Sequence, residues 1–61
     1  LVLKGQDFKY IRIFNIEGRL ILYELLSNNN RIDVGYLNSG MYLVELEDSF
    51  GIKTNKKIII N

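Results

Sequence analysis

The chain has 61 residues, a net charge of +1 at pH 7, and no cysteine, histidine or proline. It is long enough for one small domain, which buries only about 60% of the surface of its unfolded chain; with no disulfide and no Cys/His zinc staple, packing must supply its stability. The near-neutral charge argues against a basic nucleic-acid or membrane-binding stripe, and no run approaches the roughly 20 apolar residues of a membrane span.

No signal peptide of the basic-then-apolar kind opens the chain. It begins "LVLKG", without an initiator methionine and already in a strand-like pattern, so we expect a terminal module of a longer polypeptide. Missing cysteine leaves the redox compartment open. The apolar set is rich in Ile, Val, Tyr and Phe, residues that fit a pleated sheet.

In chain order, Leu1–Lys4 reads as a first strand, ended by Gly5, Gln6 and Asp7. Phe8–Phe14 is the second, with Ile11 and Ile13 on one face and Tyr10, Arg12 and Phe14 on the other. "NIEG", Asn15 to Gly18, is a hairpin signal: an Asx residue opens a type I turn and a left-handed glycine closes it. Arg19–Leu26 returns as a strand, although Leu22, Leu25 and Leu26 also suit a short helix.

Ser27 to Arg31 is a polar loop, followed by the short Ile32–Val34 and the turn Asn38 to Gly40. Gly40 is expected to take a positive φ as the chain swings into Met41–Glu47. In that strand Tyr42, Val44 and Leu46 face the core, with the Tyr42 hydroxyl at its rim. "DSFG", Asp48 to Gly51, repeats the first hairpin turn, with Asp48 capping it. The return strand Ile52–Ile60 puts Ile52, Thr54, Lys56, Ile58 and Ile60 on one face and Lys53, Asn55, Lys57 and Ile59 on the other. Five or six short strands joined this way predict an all-β, antiparallel sandwich or small barrel.

Catalytic chemistry has little to stand on. Without His or Cys the usual nucleophile–base pairs are missing, and Ser27, Ser39 and Ser49 sit in turns, where a hydroxyl bonds local backbone. Glu45 and Glu47 share a strand face, yet such acids are ordinarily solvated, and a catalytic pair also needs a cleft. The glycines fall one per turn, so no phosphate-cradling loop is formed. No cofactor or metal is expected. Lys53, Lys56 and Lys57 either keep an edge strand soluble or mark a surface read by another protein. A stacking platform for single-stranded nucleic acid would need Tyr10, Tyr23 and Tyr36 exposed together, which the pattern does not force.

Taken in order, "YIRIFNIEGRLIL", the block Ile32, Asp33, Leu37, Gly40 and Tyr42, the hairpin Gly51, and the ending Lys56, Lys57, Ile58, Ile59 and Ile60 resemble the C-terminal sorting domain of cargo of the type IX (Por) secretion system. Nearly the whole chain takes part. That family opens with a Pro-Asn-Pro motif, and this sequence has no proline. Either the chain starts downstream of that motif or the likeness is to a generic β-sandwich.

The resemblance implies a non-catalytic domain over residues 1–61, folded in the periplasm as an Ig-like β-sandwich of five to seven short strands. It further implies recognition by an outer-membrane translocon, processing by a sortase-like peptidase, and delivery of an upstream cargo to the cell surface or medium. The recognition residues carried over by position are Gly40, Tyr42, Lys56, Lys57 and Ile58 to Ile60. Two other readings are an Ig-like or fibronectin-like adhesion module binding carbohydrate or protein, and a small oligonucleotide-binding barrel.

Overall fold

The computed structural model describes residue 1, residue 3, and residues 8–26 and 31–61. The turn around Gly5, residues 2 and 4 of the expected Leu1–Lys4 strand and the Ser27–Asn30 part of the polar loop lie outside the described residues.

Four strands are formed among the described residues: β1 (Phe8–Phe14), β2 (Leu20–Leu25), β3 (Gly40–Asp48) and β4 (Lys53–Ile60). They make a single antiparallel sheet in the order β2-β1-β3-β4. The expected strands Phe8–Phe14, Arg19–Leu26, Met41–Glu47 and Ile52–Ile60 each form within a residue of their expected ends, and Arg19–Leu26 resolves as strand rather than helix. An eight-residue segment after a tight hairpin pairs sooner than it coils, because its ladder partner is already alongside.

Both hairpins are built by one device. The Oδ1 of Asn15 accepts the N–H groups of Glu17 and Arg19, each at 2.9 Å. Gly18 donates to the Asn15 carbonyl at 3.0 Å with φ at +86°. Asp48 does the same for Phe50 and Ile52, again at 2.9 Å, with Gly51 at φ +83° donating to its carbonyl. A type I turn followed by a left-handed glycine matches the twist of the flanking strands. The Asp48 side chain is 2% exposed, and its two N–H partners offset the cost of burying it.

Alternation along the strands separates the faces as expected. The buried face takes Ile11 and Ile13 from β1, Leu22 from β2 and Tyr42, Val44 and Leu46 from β3. Ile58 and Ile60 of β4 are half-buried against them. β2 and β3 are not neighbours, and the described parts of the connection between them pack on this face, where Leu26 and Ile32 are buried and Val34 and Leu37 lie alongside. Leu1 and Ile32 exchange both backbone hydrogen bonds, at 2.8 and 2.9 Å. Ile32–Val34 forms no strand of its own; it leads into an Asx turn in which Gly35 donates to Asp33 Oδ1 at 3.0 Å.

Candidate functional site

The residues singled out near the end of the sequence converge on one corner of the sheet. In the β3–β4 ladder Gly40 lies opposite Ile60, Met41 opposite Ile59, Tyr42 opposite Ile58, Leu43 opposite Lys57 and Val44 opposite Lys56. Gly40 has φ at +152°, a conformation that costs an L-residue strain. It starts β3 and so fixes the register of this corner. A Cβ added at Gly40 would come no closer than 4.0 Å to Tyr42 Cε2, so the requirement is one of backbone conformation and not of space. Tyr42 is buried, and its hydroxyl donates to the Asn38 carbonyl at 2.6 Å, clamping the approach to β3.

β4 is an edge strand. The hairpin closes with Asp48 N–H on the Ile52 carbonyl. In an antiparallel ladder alternate residues bond inward, so Thr54, Lys56, Ile58 and Ile60 pair with β3. The N–H and C=O groups of Lys53, Asn55, Lys57 and Ile59 face away from the sheet. Lys56 and Lys57, adjacent in sequence, project on opposite faces. Lys57 and the 69%-exposed Ile59 lie on the outer face. Lys56 lies on the core side, where with Ile58 it borders an open cavity of about 240 Å³ whose other walls are Leu1, Leu3, Phe8, Val44 and Leu46.

The outer face corrects one expectation. Glu45 and Glu47 are not simply solvated: both are half-buried. The β1–β3 register sets Tyr10 opposite Glu47 and Arg12 opposite Glu45. The Tyr10 hydroxyl donates to Glu47 at 2.9 Å and to Glu45 at 3.3 Å, and Arg12 Nη1 meets Glu45 at 3.1 Å. The Arg12 guanidinium sits 4.8 Å from the Tyr10 ring centre and 5.7 Å from that of Tyr23. Partial desolvation, the hydrogen bond to Glu47 and the Glu47 charge push the Tyr10 phenol up to about 12, against an opposing pull from Arg12. The carboxylates are occupied by these partners on a sheet face, which is a brace between strands and not a cleft.

The sequence reading missed the cavity beside β4, since its walls come from both ends of the chain. Gly40, Tyr42 and the Lys56–Ile60 run, by contrast, are brought together as a group. These features define a small all-β domain whose distinctive surface is a cationic, aliphatic sheet edge.

The family model of the secretion system C-terminal sorting domain matches residues 1–61. The chain belongs to that family and is a sorting signal for type IX secretion, a role that entails the secretion machinery, an upstream cargo and a secreted or cell-surface destination. No curated protein and no solved structure matches the chain.

Proposed function

We propose that the domain acts without catalysis of its own, as a folded label read at the β4 edge by the outer-membrane translocon of the type IX system. Gly40 and Tyr42 hold the corner in register, Lys56 and Lys57 supply charge, and Ile58 to Ile60 supply the aliphatic run. The domain folds in the periplasm, crosses with its cargo, and is processed by a sortase-like peptidase that leaves the cargo on the cell surface or in the medium. The observation that carries this reading is the convergence of those residues on the last strand of the described sheet, whose alternate N–H and C=O groups point outward in the geometry that strand addition uses.

The full domain is, in this proposal, an Ig-like β-sandwich of five to seven strands. Two observations support it. Leu1 exchanges backbone hydrogen bonds with the buried Ile32, a pairing additional to those of the four-stranded sheet. The Tyr42 hydroxyl, near the start of β3, bonds to the backbone four residues upstream, the arrangement of a tyrosine corner.

The test is a reporter fused upstream of the domain in a host with a working type IX system. The parent fusion reaches the surface, and Lys56→Ala with Lys57→Ala stops it in the periplasm while circular dichroism shows the sheet intact. Undiminished surface delivery by that double variant would assign the lysines to solubility alone and sink the proposed reading of the edge.

A further inference from the structure

The cavity and the outer edge of the described sheet adjoin, since Lys56 and Ile58 belong to both. We infer that β4 accepts an extended, acidic and aliphatic strand of a protein partner, and that an apolar side chain of this strand seats in the cavity walled by Phe8, Val44, Leu46 and Ile58. The inference rests on β4 being the edge that the machinery reads, and it specifies what the reader must present.

Volume decides the kind of occupant. Small-molecule sites run to roughly 300–1,000 Å³, whereas this cavity holds about 240 Å³, room suited to side chains. Its position decides how they arrive. Lys56 and Ile58 border the cavity from the last strand of the sheet, so a strand added beyond them continues the same pleat. Its residue opposite Ile58 faces the core side, as Ile58 does, and reaches the cavity. Its residues opposite Lys57 and Ile59 face outward, and they form the hydrogen-bonded pairs because the backbone groups of those two positions point away from β3.

Charge selects among strands. β4 reads KTNKKIII, with lysines at 53, 56 and 57 and no acid. A second copy docking β4 on β4 would bring cationic edges together, which like-charge pairing across strands disfavours. A partner with carboxylates on its outer face, one of them opposite Lys57, and an aliphatic residue opposite Ile58 meets both the charge and the cavity. β2, the other edge, is the poorer acceptor: it is shorter, and its pairing with β1 is broken by an irregularity at Ile13/Phe14, a device that blunts edges.

The probe is a synthetic ten-residue peptide alternating glutamate with valine or leucine, added to the isotope-labelled chain; its counterpart carries lysine in place of glutamate. Expected are slowed hydrogen exchange at the amides of Lys53, Asn55, Lys57 and Ile59 and methyl shifts at Val44, Leu46 and Ile58. The acidic peptide should bind at least tenfold more tightly than the lysine one, with an advantage that shrinks as salt rises. Equal binding of the two peptides, no binding, or protection at Ile21, Tyr23 and Leu25 instead would overturn the inference.

In the reporter fusion, Phe8→Trp, or the gentler Val44→Ile if Trp disturbs the fold by circular dichroism, fills the cavity. Asn55→Pro removes an N–H that faces away from β3, a position where an edge strand tolerates proline. Loss of export in both the cavity-filled and the proline variant supports the inference. Export lost with Asn55→Pro alone leaves the edge reading standing and removes the cavity from it. Export kept in all of them removes both.

Discussion

At the scale of single residues, Asn15 and Asp48 offer an internal comparison. Each accepts two backbone N–H bonds from its own turn, but Asn15 sits where water can replace them and Asp48 is buried. Asn15→Ala is expected to cost about 1 kcal/mol and Asp48→Ala about 2–3 kcal/mol, since the Asp48 bonds go to a charged, buried acceptor and are part-buried, whereas those of Asn15 are exposed. Urea unfolding of the two variants at equal slope checks the order; equal losses would mean that the charge and burial of Asp48 contribute nothing. Tyr10 gives a test in pH. An unfolded tyrosine loses its proton near 10.0, and this one is pushed up to about 12. Between those values the folded chain keeps a proton that the unfolded chain has released. Stability present below pH 10 is therefore expected to decline as pH rises through 12. Tyr10→Phe should flatten that decline in urea midpoints measured across the window, and an identical slope in the variant would contradict the assignment.

At the scale of elements, the β3–β4 hairpin both completes the core and presents the edge, and its two duties must be separated in any experiment. β4 pairs from Lys53 through Ile60 with β3 from Glu47 back to Gly40. Deleting Lys56 to Asn61 would strip the partners of Gly40 through Val44 and remove Ile58 and Ile60 from the packing around Tyr42. That truncated chain is expected to lose its sheet signal in circular dichroism and to stay unexported for want of a fold. A truncated domain that retained its sheet would show that the last strand is an appendage and not part of the core. Substitutions at Lys56 and Lys57 avoid the confusion, because both side chains are exposed. The element boundaries were legible because each hairpin announces itself locally, through Asx-x-x-Gly and through strict alternation in Met41–Glu47. Which strands become neighbours was not, since the pairing of β1 with β3 joins residues far apart in sequence, from Phe14 with Leu43 to Phe8 with Asp48, and no local signal encodes it.

At the scale of the molecule, that non-local pairing accounts for what the sequence withheld. The inward set Tyr42, Val44 and Leu46, and the shared face of Ile11 and Ile13, could be read from period two, whereas the Gly40, Tyr42 and Lys56–Ile60 group rests on the family resemblance. The engagement of Glu47 by Tyr10, and a cavity walled by Leu1, Phe8 and Ile58, exist only after the register is set. The same smallness limits stability. For 61 residues, roughly 3–9 kcal/mol of net stability is expected from typical per-residue values, and without cysteine no disulfide adds to it. Ile13 is fully buried at the centre of the sheet, between Leu22 on β2 and Val44 on β3. Ile13→Val removes one methylene at about 0.5–1.5 kcal/mol and should leave a cooperative transition at a lower urea midpoint. Ile13→Ala, at about 2–5 kcal/mol, removes a large share of the total and should leave a substantial unfolded fraction at room temperature in near-ultraviolet circular dichroism. If the alanine variant instead unfolds within 1 kcal/mol of the parent, the sheet is not held by this central packing, and stability must come from layers that cover it.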